Sequence, residues 1–416
     1  MAEKVFLVVV DFKKKDVWPS EDILAELCDL VVSCSGEVCG EMICRCLKPT
    51  ARLLIGEGKA EEIRDLCLEK KANTVIFSHD LKGSQQRNLE EIIGTKVIDR
   101  TQLILDIFAR RAESMEGKMQ VELAQLAYML PRLTGHGIEL SRLGGGIGTV
   151  GPGETKLEID RRRISERIDR LKSDLKQVVL SRTTKRKKRK ELKVPCISLV
   201  GYTNAGKSTL LNVLTDAHQQ THDGLFTTLD TLSRQLVLPN HQKIIVSDTV
   251  GFMYELPHHL IEAFKATLEE VVEADLLLHV VDVSNPKFRS LNEAVFDVLE
   301  QLGAKDKPVI TIFNKIDKLE DKSWLKSLQE SFKNSICVSA LTKENISVLI
   351  DKIIENLSPS VEEIDVNIPI GRMDLVSLIH KEGKVNLIEY SGTFVHIRAD
   401  VPLEIINKIP KAYVTN

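Results

Sequence analysis

The sequence predicts an α/β multidomain protein: a phosphate-loop domain preceded by an α/β plus helical-pair region and followed by a small α+β domain. Three observations carry this. Apolar strand-like runs alternate with helical patterns in two separate stretches, a phosphate-loop motif heads the second, and a glycine-dense segment leads into an a/d seam between them. The chain has 416 residues, room for two to four domains at roughly 150 residues each. The expected boundaries are 1–115, 116–193, 194–358 and 359–416.

In the first stretch, Val5 to Val10 reads as an opening strand, Ile23 to Val32 as a helix, Met42 to Leu47 and Ala72 to Phe77 as strands, and Leu103 to Arg111 as a helix. Such alternation implies a largely parallel sheet. Val121 to Leu130 then reads as a helix that Pro131 interrupts, and Arg142 to Glu154 is glycine-dense. A second helix follows, with Leu157, Ile164, Ile168, Leu171, Leu175 and Val178 on one seam, so an antiparallel pair is expected. Pro195 opens the next domain, and Cys196 to about Leu357 has the pattern of a doubly wound sheet. Short alternating runs at Lys384 to Tyr390 and Thr393 to Ala399 belong to the final domain.

Composition narrows the classes. With 43% hydrophobic and 28% charged residues, the chain is neither disordered nor collagen-like. No apolar run reaches the ~18 residues of a membrane-spanning helix, and no export signal is read, so a cytoplasmic protein with eight reduced cysteines is expected. Cys44 and Cys46, two apart, fall on one face of a strand as core residues; Cys34 and Cys39 lack metal-ligand spacing. The net charge is only -3, yet Arg161 to Lys193 holds fifteen Lys and Arg against four acids. Its run Lys185 to Lys190 is either a solvated helix end or a phosphate-contacting patch.

The chemistry lies in four motifs, each at the carboxyl end of a predicted strand. Gly201-Tyr202-Thr203-Asn204-Ala205-Gly206-Lys207-Ser208 fits G-x-x-x-x-G-K-S after the strand Cys196 to Val200, with Thr209 next. Its backbone N–H groups surround phosphates, Lys207 neutralises them, and the Ser208 hydroxyl can ligate Mg²⁺. Asp248-Thr249-Val250-Gly251 places a carboxylate near the metal and a glycine beside a γ-phosphate. In Asn314-Lys315-Ile316-Asp317 the Asp317 carboxylate can accept from two adjacent N–H groups of guanine, which adenine lacks. Asn314 braces the base loop, Lys315 lies along the base, and Ser339-Ala340-Leu341 offers a backbone N–H to the guanine carbonyl. The central domain therefore reads as a P-loop GTPase. Phe226, Thr227 and Thr228 lie in the candidate first switch; Thr228 is the candidate second Mg²⁺ ligand, with Thr227 as competitor. The candidate catalytic set is Lys207, Thr228 and Gly251, and the metal set is Ser208, Thr228 and Asp248.

The phosphate loop, the turn Gly151-Pro152-Gly153-Glu154-Thr155 running into Leu157-Glu158, and Leu54-Ile55-Gly56-Glu57-Gly58-Lys59 together resemble the HflX family, within the Obg-HflX group of translation-factor-related GTPases. The resemblance covers nearly the whole chain and implies binding to the large ribosomal subunit and its rRNA. It also implies GTP-dependent splitting or rescue of stalled or idle ribosomes. An assembly GTPase, or a GTP-sensing module with incidental hydrolysis, are the alternatives. Val150 and Thr231 depart from the family pattern, which usually has Arg and Pro there. GTP or GDP with Mg²⁺ is the expected ligand set, in a chain expected to be monomeric and without a membrane span.

After D-x-x-G stands Phe252, which cannot hydrogen-bond a water, so slow intrinsic turnover is expected, with the orienting group supplied by a partner or the switch backbone. Gly146, Gly148 and Gly151 spell G-x-G-x-x-G without the strand and βαβ unit of a dinucleotide site. They read instead as an rRNA-contacting finger, with Lys187, Lys188 and Arg189 behind it, or as a plain connector. His258 and His259 read as surface residues near the start of a second-switch helix.

Overall fold

In the computed structural model the described residues are 3–12, 18–135, 156–191, 194–215, 226, 232–254, 264–357, 361–406 and 408–414. They form two compact units: residues up to 178 together with Phe226, Phe264 and Lys265, and residues from 179 onward without those three.

The first unit runs β1 (Lys4–Asp11), α1 (Ser20–Ser33), β2 (Glu37–Arg45), α2 (Glu57–Lys70), β3 (Thr74–Phe77), α3 (Gly83–Ile93), β4 (Lys96–Asp99), α4 (Arg100–Arg111) and α5 (Met115–Met129). α5 ends at Met129, where a 3₁₀ turn at Leu130–Gly135 carrying Pro131 takes over, and α6 (Lys156–Glu191) follows, in this unit as far as Val178. The strands pair in the order β2-β1-β3-β4, all parallel. Central β1 buries Val5 to Val10 without a break, as a strand covered on both faces must. The strand expected at Met42 begins earlier, at Glu37. A Cβ on Gly40 would lie 2.7 Å from the Phe6 ring, so a glycine that interrupts the apolar pattern is what lets that ring lie across β2. Cys44 and Cys46 join the same core, and all eight cysteines are free thiols.

Asp99, at the end of β4, ties this unit together. Its carboxylate accepts from the Leu81 and Gln102 N–H groups at 3.0 and 2.9 Å, from the Tyr128 hydroxyl at 2.7 Å and from Arg132 at 2.9 Å. Burial still pushes its pKa up. The α6 seam behaves as its spacing requires: Ile164, Ile168, Leu171 and Leu175 pack on Met119, Leu123 and Leu126 of α5, and Arg167 grips Glu122 in two bonds of 2.7 and 2.8 Å.

The second unit contains β5 (Cys196–Val200), α7 (Lys207–Leu214), β6 (Leu232–Val237), β7 (Lys243–Asp248), α8 (Lys265–Glu273), β8 (Leu276–Asp282), α9 (Phe288–Gln301), β9 (Val309–Asn314), α10 (Leu325–Ser331), β10 (Ser335–Cys337) and α11 (Ile346–Leu357). Its sheet order is β10-β9-β8-β5-β7-β6, parallel except for the β6–β7 hairpin. The last domain has β11 (Val361–Pro369), α12 (Met373–Glu382), β12 (Lys384–Tyr390), β13 (Phe394–Pro402) and the short α13 (Leu403–Ile406). It is an antiparallel β11-β13-β12 sheet packed on α12 through apolar positions such as Ile364, Val366, Ile368, Ile379 and Ile397. Lys243 of β7 bridges Glu382 of α12 at 2.8 Å. Among the described residues no helix is long and apolar enough to cross a membrane.

Candidate nucleotide site

Four parallel strands, β5, β7, β8 and β9, deliver their carboxyl ends to one rim, where a doubly wound sheet binds ligands. β5 ends in the loop from Gly201 to Gly206, and α7 starts at Lys207. Its amino end supplies the unpaired N–H groups and positive dipole that phosphates seek. Gly206 holds φ +96°, and a Cβ there would stand 2.3 Å from the Asn314 amide nitrogen, so only glycine fits.

Lys207 is buried beneath this loop. Its Nζ donates to the carbonyls of Gly201 at 3.0 Å and Tyr202 at 2.8 Å. Burial draws its pKa down to about 8, against the opposing pull of Asp248. The Ser208 hydroxyl donates to Asp248 at 2.6 Å. A hydroxyl and a carboxylate at this spacing are the hard oxygen donors that suit Mg²⁺, so the residues present fit that ion.

The segment after β7 lies against the phosphate loop. Thr203 N–H donates to the Phe252 carbonyl at 2.9 Å and Phe252 N–H to the Gly201 carbonyl at 3.0 Å. The Tyr254 N–H adds a bond of 3.1 Å to the Tyr202 hydroxyl. This close approach requires Gly251: a Cβ would fall 2.7 Å from the Thr203 methyl and 3.1 Å from the Lys207 Nζ. The Phe252 ring is buried.

The residues expected to read the base converge from β9 and the loop after β10. Asn314 donates to the Ala205 carbonyl at 2.9 Å and accepts from the Ala340 N–H at 3.0 Å. Ser339 donates to Asp317 at 2.5 Å, holding the carboxylate that would face guanine. Lys315 reaches the Asn204 carbonyl at 2.7 Å. Asp282, which belongs to none of the four motifs, pairs with Lys315 at 2.7 Å. An acid at the end of β8, on the same rim, was its available signal.

The remaining expected residues divide three ways. Thr209 lies on α7, and Leu341 is exposed. Phe226 is buried, its ring packed on Phe108 of α4. Thr227, Thr228, Gly146, Gly148, Gly151, His258 and His259 lie outside the described residues, as do the side chains of Lys187, Lys188 and Arg189 on α6.

Family models match along the chain: GTP-binding GTPase N-terminal at residues 21–109, GTP-binding GTPase Middle Region at 111–189, 50S ribosome-binding GTPase at 196–315 and HflX C-terminal domain at 325–392. GTPase HflX of Caldanaerobacter subterraneus subsp. tengcongensis is 43% identical over 407 residues, covering 98% of this chain and 93% of that protein. GTPase HflX of Escherichia coli K12 is 44% identical over 322 residues, 77% of this chain and 76% of that one. Among solved structures, a GTP-binding protein from Sulfolobus solfataricus in complex with GDP is 26% identical, with a TM-score of 0.44, covering 86% of this chain and 99% of that one. Identity of 43% over 98% of the chain, joined to family models matched from residue 21 to residue 392, makes the chain a GTP-hydrolysing enzyme that belongs to the HflX family.

Proposed function

We propose that this GTPase binds the large ribosomal subunit and its rRNA, and that its nucleotide state drives the splitting or rescue of stalled or idle ribosomes. The observation that carries the reading is α6. One side of this helix is spent on α5, while Arg161, Arg162, Arg163, Arg170, Lys172 and Lys176 stay exposed. A long helix with that many exposed cations suits a phosphate-rich partner, whose counterions it would release. The description of the central domain's family model as a 50S ribosome-binding GTPase supports the same partner.

In this reading the glycine-dense segment before α6 enters an rRNA cavity, and Lys187, Lys188 and Arg189 contact phosphates. Lys207 neutralises the β- and γ-phosphates, Asp317 selects guanine, and the Gly251 backbone and Thr228 sense the γ-phosphate. Mg²⁺ held by Ser208, Thr228 and Asp248 would offset charge on the transferring group. Phe252 offers no hydrogen bond to the attacking water, so the ribosome completes the site. The protein acts in the cytoplasm as a monomer, with domains bounded at 115, 193 and 358.

Co-sedimentation with intact ribosomes and with separate subunits, in GDP or a non-hydrolysable GTP analogue, tests this. Binding to the large subunit in the analogue alone, with loss of intact particles, is expected. Binding confined to immature large subunits would replace rescue with assembly.

A further inference from the structure

Asp282, the last residue of β8, faces Asn314 in the β8–β9 register, and the Val283 N–H donates to the Asn314 carbonyl at 3.0 Å. That pairing brings the carboxylate within reach of the next residue in sequence, Lys315. One oxygen, Oδ2, lies 2.7 Å from the Lys315 Nζ. The other, Oδ1, accepts from the Ser284 N–H at 3.0 Å and from the Ser284 hydroxyl at 2.6 Å, so both are engaged. Lys315 Nζ in turn donates to the Asn204 carbonyl, in the loop after β5, at 2.7 Å. The Lys315 and Asp282 side chains are only 17% and 20% exposed. Lys315 holds φ +66°, a left-handed backbone that a long side chain keeps only where its surroundings impose it. All four residues belong to the second compact unit.

A lysine is a flexible four-carbon stem with a strongly hydrated tip. Left with the Asn204 carbonyl alone, the ammonium would gain by returning to water, and the stem would lose its place. A carboxylate changes that balance, because a charge-assisted hydrogen bond is roughly twice as strong as a neutral one. Ser284, by occupying Oδ1, keeps the carboxylate itself from turning. We propose that Asp282 is a positioning residue for the guanine nucleotide: it holds Lys315 stretched along the rim as a ready-made wall for the flat face of the base. The proposal rests on reading Lys315 as the residue that lies along the base. A wall ordered in advance costs the incoming nucleotide no ordering entropy, and affinity gained in this way shows mainly as slower release. Stacking against a stem is indifferent to the groups on the base edge. Asp282 therefore sets how long a purine stays, while Asp317 sets which purine.

The test follows release of fluorescent GDP and of fluorescent inosine diphosphate, which presents the same flat face without the exocyclic amino group, from the full chain. Asp282→Asn keeps the shape and removes the charge. It should release both nucleotides roughly fivefold faster, the scale of one partly buried ion pair, with the preference for GDP over the inosine form unchanged. A pocket loosened as a whole would lose part of that preference, because Asp317 would be displaced as well. Lys315→Met keeps the stem and removes the ammonium; it too should speed release, and Asp282→Asn should add little on that background, since the partner is already gone. If Asp282→Asn does not fold, Ser284→Ala, which strips one bond from Oδ1, is read in its place, with release about twofold faster. Release unchanged in the folded variant, a diminished preference for GDP, or the same acceleration on the Lys315→Met background would each overturn the proposal. Release quickened by Lys315→Met and not by Asp282→Asn would remove Asp282 alone. Release untouched by Lys315→Met would remove the reading of Lys315 as the wall, and the proposal with it.

Discussion

Asn314 donates its side-chain amide to the Ala205 carbonyl across 109 residues of sequence, at 2.9 Å. Its other side-chain atom accepts from the Ala340 N–H at 3.0 Å. The loop after β5 and the loop after β10 are thereby joined through one buried amide; with the nucleotide bound as proposed, damage to either end of the bond should be felt at both ends of the nucleotide.

Gly206→Ala tests that link. The new methyl group would meet the Asn314 nitrogen at 2.3 Å and the residue would retain φ +96°. Affinity for GDP and GTP should fall together, by about 10- to 100-fold, given a lost buried hydrogen bond plus backbone strain. Titration with fluorescent analogues of both nucleotides measures it; a loss limited to the triphosphate would contradict the coupling.

Asp317→Asn should exchange the base preference. Asn presents an N–H where the carboxylate accepted, which opposes the guanine amino group but suits the carbonyl of xanthine. GDP should weaken at least ~100-fold while the xanthine diphosphate gains, since a mispaired buried polar group is heavily penalised. Competition binding with the two diphosphates gives the answer. Ser339, 2.5 Å from this side chain, can rotate its hydroxyl to serve either residue.

The Lys207 ammonium supplies a pH signature. Burial leaves it titrating at about 8 in the free protein, and phosphate anions favour its charged form. Above that pH nucleotide binding must therefore take up a proton, and affinity should fall by up to roughly tenfold per pH unit. Below it no such uptake occurs at this group. Calorimetry at pH 7 and pH 9, in buffers of different ionisation heat, would reveal the proton.

His279 on β8 predicts an acid-labile fold. Its ring is fully buried, neither nitrogen has a hydrogen-bond partner among the described residues, and its pKa is driven down to about 3 by burial and then by Lys207. Unfolded, it titrates near ~6.5. Between those values the unfolded chain binds the extra proton, so stability falls as pH drops below ~6.5, by up to about 1.4 kcal/mol per unit. Urea denaturation of the protein and of His279→Leu at pH 5, 6 and 7 should give diverging stabilities, the variant losing less.

The placement of the motif residues at strand ends was legible because it is local. Each motif pairs a strand with the residues that immediately follow it, so Lys207, Asp248, Asn314 and Asp317 could be placed from spacing alone. What escaped depends on distant neighbours. Asp282 has no motif, and only its partner Lys315 gives it a purpose. The β2 start at Glu37 was hidden because Gly40 breaks the apolar alternation while making room for Phe6. Phe108 packs edge-to-face on Phe226 and Phe264, rings whose separation in sequence carries no periodicity to read.

The β6–β7 hairpin has a practical use. Since β7 ends in Asp248 on the ligand rim, the turn from Leu238 to Gln242 lies at the opposite margin of the sheet, closed by a 2.9 Å bond between the Leu238 N–H and the Gln242 carbonyl. A dye or affinity tag grafted beside His241, where the backbone already adopts φ +63°, would ride on the same framework as the guanine pocket without obstructing it. It would give single-molecule work a handle on this enzyme.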